Sequence, residues 1–344
     1  SNYYESRSDN RFVNILKREN YIFNSSINGI EESDLIFLIG TNPRYEATIL
    51  NARIRKSYLA NNLEIFSLGD VGDLTYPYKI IKNETEVIKN IIENKHELSQ
   101  KIKKAQRPII ILGQSVLKLN SGQYIFEELK KYLTSINKIS KEWNSLNIIS
   151  NHASTVGSYD LGIINKTNKE NIVLEAIKKN EYEVLFLFGQ DNFKFNKKKE
   201  FIIYIGSHGG NGAENSDVIL PGAAFTEQDG YFTNLEGRIQ KAYKASYPPG
   251  EAKEDWLIIN ELSKLIKRKK IYNSKDELID SMMNYLKLSK NTKNIQFNET
   301  NFHNEKIIID NLDYYYSNII SRASNTMSQC RNEKVKVKKT GTDG

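Results

Sequence analysis

Two stretches of this chain join short apolar runs to loops whose residue types suit an anionic ligand. In the first, Leu35 to Ile39 empties through Gly40 into Thr41, Asn42 and Pro43. A strand, a tight glycine turn and a helix start would aim free N–H groups and the positive end of a helix dipole at a phosphate. The same residues also make a plain strand-to-helix turn in which Asn42 caps the helix. In the second, Phe201 to Ile205 runs into the string GSHGGNG, Gly206 to Gly212. Its glycines allow either close backbone approach to a ligand or positive φ. His208 has the chemistry of a ligand, a base or a donor, and equally that of a ring satisfied by backbone. The string matches neither a Walker A loop nor the dinucleotide GxGxxG fingerprint. Both loops leave the carboxyl ends of strands, where open α/β sheets bind ligands.

Acid–base and metal chemistry find less support. The histidines are His96, His152, His208 and His303, and none sits in an HExxH or comparable ligand spacing. His152 with Asp160 makes a weak pair. Ser154 and Ser158 lack a nucleophile elbow. Glu31-Glu32 and Glu127-Glu128 read as solvated helix positions. The single cysteine, Cys330, excludes an intramolecular disulfide, a four-thiolate iron–sulfur cluster held by this chain alone and a cysteine-rich zinc site.

The elements that must position these loops follow from periodicity. Asp34–Ile39, Leu63–Ser67, Pro108–Leu112, Val184–Phe188, Phe201–Ile205 and Asp217–Leu220 read as short apolar strands, with Trp143–Ile149 ambiguous. Ala47, Leu50, Ile54 and Tyr58 recur at helical spacing after Asn42. Further helices are expected over Thr85–Lys104, Gly122–Ile136, Asn171–Lys179, Trp256–Arg268 and Lys275–Leu288. Strands apolar throughout and alternating with helices imply an α/β fold with doubly wound, largely parallel sheets. The organisation expected is a lead-in segment over 1–30, an α/β region over 31–288, an Asn-rich C-terminal segment over 289–330 and a disordered basic tail over 331–344.

The 344 residues carry 49 Lys+Arg against 42 Asp+Glu, a net charge of +7. The lysines are dispersed and mixed with acids, so no nucleic-acid partner is expected. A Lys, Asn and Ile bias of this kind also follows from an AT-rich genome. No apolar run is long enough to span a bilayer, and neither a signal peptide nor an Arg-rich transit segment is evident. The chain begins SNYYESRSDN without a Met, as a processed product or a fragment would.

Longer blocks carry a specific resemblance. TNPRYEATILNARIRKSYL (Thr41–Leu59), GDVGDLTYPY (Gly69–Tyr78), EVLFLFGQD (Glu183–Asp191), SDVILPGAAFTEQDGYFTNLEGRIQ (Ser216–Gln240), PPGEAKEDWLIINELS (Pro248–Ser263) and DYYYSNIISRASNTMSQC (Asp313–Cys330) resemble, collinearly, the 75-kDa (G) subunit family of complex I. The similarity begins near Asn20, and the SRASNTM block resembles the mitochondrial form. The resemblance implies a fold similar to that of molybdopterin-dependent oxidoreductases, kept without the cofactor. It implies a structural role in the matrix arm, on the matrix side of the mitochondrial inner membrane, beside other peripheral-arm subunits. It implies no catalytic residue, no metal ligand and no cofactor in this chain. Iron–sulfur clusters are expected in an N-terminal half outside these residues or in a partner chain. Gly40, Thr41, Asn42, His208, Gly209 and Asp217 then mark a relic of the pterin pocket, with Phe225, Tyr231 and Phe232 available to fill it. The competing readings are a working molybdopterin oxidoreductase with a Ser or Asp metal ligand, and a free-standing nucleotide-binding protein.

Overall fold

The computed structural model describes residues 17–163, 176–192, 196–288, 301–310 and 312–339. The chain forms two compact units. The first comprises 1–170, 232–240 and 285–310, and the second 171–231, 241–284 and 311–344.

The first unit is built on a five-stranded parallel sheet: β1 (Leu35–Ile39), β2 (Glu64–Leu68), β3 (Lys79–Ile81), β4 (Pro108–Leu112) and β5 (Leu146–Ile148), in the order β3-β2-β1-β4-β5. Between β1 and β2 lie α1 (Pro43–Glu46) and α2 (Thr48–Ala60). Between β3 and β4 lie α3 (Thr85–Ile92) and α4 (Glu97–Lys104), followed after β4 by α5 (Gln114–Leu117), α6 (Gly122–Ser135) and, beyond β5, α7 (Thr155–Asp160). Alternate residues of β1 serve opposite cores. Leu35, Phe37 and Ile39 pack with residues of α3, α4 and α6, whereas Ile36 and Leu38 pack with Leu50 and Ile54 of α2. The sheet is therefore doubly wound, as its fully apolar strands require.

The expected Thr85–Lys104 helix is two helices. Asn94 takes φ of 60°, and His96 caps the second helix by accepting from the Leu98 N–H at 3.1 Å. The helix after Asn42 is likewise split, at Ala47 with φ −149° and ψ 70°. The lead-in residues are part of the core: Tyr21, Phe23 and Ile30 are buried. Trp143–Ile149 resolves into the edge strand β5, which pairs with β4. Asp160 accepts from Arg18 Nε at 3.0 Å and Nη2 at 2.7 Å, and from the Tyr21 hydroxyl at 2.9 Å.

The second unit holds a three-stranded parallel sheet, β6 (Val184–Phe188), β7 (Phe201–Gly206) and β8 (Val218–Pro221), in that order. Its helices are α8 (Asn211–Glu214), α9 (Asp255–Lys267), α10 (Lys275–Leu288, ending in the first unit's share), α11 (Ile319–Ala323) and α12 (Asn325–Lys339). The hairpin β9 (Gly230–Thr233) and β10 (Ile239–Ala242) lends its turn to the first unit, where the Leu235 carbonyl accepts from Phe23 N–H at 2.7 Å. Most of the expected Asn171–Lys179 helix lies outside the described residues; 176–178 are helical. Residues 331–339, expected as disordered tail, continue α12. A run free of Gly and Pro, rich in Lys and Val, has no residue that would end the helix.

Candidate functional site

In the order β3-β2-β1-β4-β5, successive strands run outward from β1 in one direction and from β4 in the other. The crevice beyond the carboxyl ends of β1 and β4 is the topological switch point, the place where such sheets take ligands. Gly40, Thr41 and Asn42 sit there on the β1 exit, and Gly113, Gln114 and Ser115 on the β4 exit. The two exits touch: a side chain on Gly113 would begin 2.1 Å from the Gly40 carbonyl oxygen. Gly40 itself needs φ of 61°, a conformation that only glycine adopts without strain.

An acidic group does occupy the Thr41–Asn42 turn, and it belongs to the protein. The Glu46 carboxylate accepts from Asn42 N–H through Oε1 and from the Thr41 hydroxyl through Oε2, both at 2.8 Å. Asn42 caps α1 by accepting from Arg44 N–H at 3.0 Å, and its amide donates to the Val71 carbonyl at 2.7 Å. Burial pushes the Glu46 carboxyl up to about 7, against the pull of the Asn42 and Thr41 hydrogen bonds; Asp310 raises it further and Lys118 lowers it. Glu46 is visible in the sequence only as an acid in a first helical turn. Its role depends on the break at Ala47, which nothing in the local pattern announces.

The crevice is closed from above by residues 302–310. The Thr85 N–H donates to the Glu305 carbonyl at 2.9 Å, and the Thr85 hydroxyl to the His303 carbonyl at 2.9 Å. Asn83 donates to the Ile307 carbonyl at 2.7 Å. Asp310 N–H donates to Ser115 Oγ at 2.9 Å, and the Asp310 carboxylate pairs with Lys118 at 2.5 Å. Ile307, 2% exposed, packs in the α3–α4–α6 core. Ile309 packs against the opposite, α2-side core. Neighbouring inward side chains thus enter both cores, and the segment straddles the carboxyl edge of the sheet. The Thr41 and Asn42 donors of the turn are thus taken by Glu46, and the space against Gly40 by Val116 and Ile307. This closure was not legible in the sequence, where the segment falls in the Asn-rich region without periodicity.

A side chain on Gly206 would start 2.3 Å from the Tyr204 hydroxyl, one on Gly210 2.6 Å from the Asp191 carbonyl, and one on Gly212 2.2 Å from the Gln190 carbonyl. These glycines are needed for the protein's own close packing. Gly209 alone of the four faces open space. The His208 carbonyl accepts from the Tyr204 hydroxyl at 2.6 Å, and its Nδ1 lies 2.9 Å from Ser207 Oγ. Asp217 accepts from Ile202 N–H at 2.8 Å and pairs with Lys197 at 2.5 Å, which holds its carboxyl below the usual range. Gly40, Thr41 and Asn42 come together in the first unit; in the second, His208 and Gly209 follow the carboxyl end of β7, whereas Asp217 lies at the opposite, amino edge of the sheet beside Ile202, because it precedes the parallel strand β8. Of the side chains expected to fill the cleft beside Gly206–Gln240, Phe225 and Phe232 are 51% and 39% exposed and Tyr231 is half-buried. Among the described residues no group of three or more His, Cys, Asp or Glu side chains is placed to hold a metal.

A doubly wound parallel sheet with strand-exit glycine loops, together with a smaller parallel sheet, defines an open α/β architecture with ligand-type loops at the carboxyl ends of its strands. Comparison with known families matches residues 1–265 to molybdopterin oxidoreductase, and the chain belongs to that family. Among curated proteins it is 37% identical over 338 residues to the NADH-ubiquinone oxidoreductase 75 kDa subunit of Reclinomonas americana, covering 95% of this chain and 48% of that protein. It is 35% identical to the G subunit of NADH-quinone oxidoreductase from Rickettsia bellii (94% and 48%) and from Rickettsia felis (98% and 50%). The chain spans about half the length of the curated relatives it matches.

Proposed function

We propose that this chain is a structural component of the peripheral arm of NADH:quinone oxidoreductase, complex I, and scaffolds an electron path that these residues do not themselves form. The observation that carries this reading is the closed switch-point crevice: Glu46 sits in the turn where a phosphate would bind, and Ile307 seals the opening over Gly40. The names of the relatives supply the assembly. The partners are the other peripheral-arm subunits, above all the iron–sulfur-bearing N-terminal part of the same subunit, where the clusters are expected. This chain itself takes neither cluster nor molybdenum cofactor. The location that follows is the matrix side of the mitochondrial inner membrane, on membrane-anchored partners; no described helix is long and apolar enough to cross a bilayer.

Elemental and pterin analysis of the assembly purified through this chain tests the reading. Iron in cluster stoichiometry in the assembly, with molybdenum and pterin absent, is expected. Molybdenum and pterin at one per chain would establish a working molybdopterin oxidoreductase in its place.

A further inference from the structure

The apolar stripe of α9 runs further than the cover that the described residues give it. Ile258, Leu262 and Leu265 share one stripe at i, i+4 and i+7. Ile258 is 8% exposed, Leu262 is half-buried and Leu265 is 79% exposed. Ile266, one turn-pair beyond Ile259, is 75% exposed, and Ile271 in the turn after the helix is 50% exposed. That turn is held in place. Buried Asn260 accepts from the N–H groups of Ile271 and Tyr272 at 2.8 and 3.1 Å, and Ser263 donates to the Lys269 carbonyl at 2.9 Å. Lys264, Lys267, Arg268, Lys269 and Lys270 stand among these apolar residues, all exposed. Lys270 has Glu261 at 4.0 Å. The other four meet no carboxylate among the described residues, whereas Lys101 pairs with Glu64, Lys118 with Asp310 and Lys130 with Glu19.

Apolar side chains gathered on one exposed helix end mark a site of association, and the unpaired cations around them select a partner of opposite charge. We infer that the end of α9 docks into a groove of another protein, apolar at its floor and edged by Asp or Glu side chains. The long stems of Lys264 and Lys267 add apolar surface beside Leu265 and Ile266 while their ammonium groups reach the edge. An anionic bilayer or a nucleic acid also offers negative charge, but spreads it evenly. Helix α10 begins beside the turn: Asn273 N–H donates to Glu277 at 2.7 Å, and the Tyr272 hydroxyl lies 3.3 Å from Ser281 Oγ. Its Asp276, Glu277 and Asp280 are exposed. A uniform negative field would repel those carboxylates while it drew the lysines, whereas a groove can set its acids against Lys264–Lys269 alone. A second copy presenting the same patch across a two-fold axis would bring like charges together. The inference stands on this surface and does not depend on the identity of the assembly.

The test is photo-crosslinking from Ile266→p-benzoyl-phenylalanine in the intact assembly purified through this chain, with the cross-linked peptide identified by mass spectrometry. Ile266 is largely exposed, so the larger ring leaves the core of the unit untouched. The cross-link should fall in one segment of a different polypeptide, among apolar residues with Asp or Glu beside them. Lys267→Glu with Lys269→Glu in the same background should lower the yield about tenfold, and Lys267→Arg with Lys269→Arg should retain it. Both lysines are exposed and unpaired, so an unchanged melting temperature separates lost docking from lost folding. Cross-links to this chain itself, to a second copy, to lipid or to nucleic acid, the absence of any cross-link, or a yield that the paired Glu substitutions leave unchanged would overturn the inference. A cross-link to an acidic groove on a protein outside any NADH-oxidising assembly would support the docking surface and contradict the proposed function.

Discussion

The Ile307 side chain lies against the bare Cα of Gly40: a Cβ on that glycine would come within 3.2 Å of Ile307 Cγ2 and 2.8 Å of Val116. Two distant parts of the chain meet at the point where related architectures admit a cofactor. The contact couples a backbone requirement, φ of 61° at Gly40, to the burial of an apolar side chain. The exit of β1, the exit of β4 and residues 302–310 consequently form one packed layer over the sheet edge.

Gly40→Ala should therefore be costly. The left-handed conformation costs roughly 1–2 kcal/mol for a residue with a Cβ, and displacing Val116 and Ile307 adds about 1–3 kcal/mol. Gly209→Ala is the contrast, because it faces open space without positive φ and should stay within about 0.5 kcal/mol of the parent. Denaturant unfolding of both variants measures this. Equal stability of the two would remove the closed-crevice geometry.

Glu46 gives a signed pH dependence. Its carboxyl is raised from 4.5 to about 7 in the folded chain, so folding favours the protonated acid. The contribution is fully present below pH 4.5 and is lost as pH rises through about 7. Glu46→Gln keeps an acceptor for Asn42 N–H and carries no charge. Its melting temperature should match the parent near pH 4 and exceed it near pH 8. A parent that is the more stable at pH 8 would show that the ionised carboxylate is favoured there.

The sheet was legible because its strands are fully apolar: Leu35–Ile39, Pro108–Leu112 and Val184–Phe188 are visible from composition alone. The cap at Asn42 was legible too, since Asn-Pro before an apolar periodicity is a local signal. Glu46 as the occupant of the Thr41–Asn42 turn was not, since it depends on a helix break at Ala47. Residues 302–310 were not, since an extended strap held by backbone groups leaves no periodic trace. The glycines of Gly206–Gly212 were visible as glycines, but whether they clear space for a ligand or for Tyr204 and the Gln190 carbonyl is a tertiary matter.

Asp191 and Arg322 should form the main tie of the C-terminal block to the second unit. Arg322 meets both carboxylate oxygens of Asp191 at 2.6–2.9 Å, with the side chains 19% and 5% exposed respectively. Asp191→Ala leaves the guanidinium buried without its partner, a change that costs about 3–5 kcal/mol. Limited proteolysis should then cut within α11 and α12 first. An unchanged cleavage pattern would contradict the tie.

Asn42→Ala removes the cap, worth about 1 kcal/mol, and strips the Val71 carbonyl of its donor. The amount of assembled complex should fall while turnover per assembled complex stays constant. Normal assembly with lost turnover would restore a ligand role to Asn42.

The central claim, that this chain is a scaffold of complex I, is tested most directly by where the protein runs under native conditions. In a native gel of solubilised membranes stained for NADH oxidation, the chain should co-migrate with the activity in one large species. Migration of the chain as a small free protein, apart from the NADH-oxidising band, would contradict it.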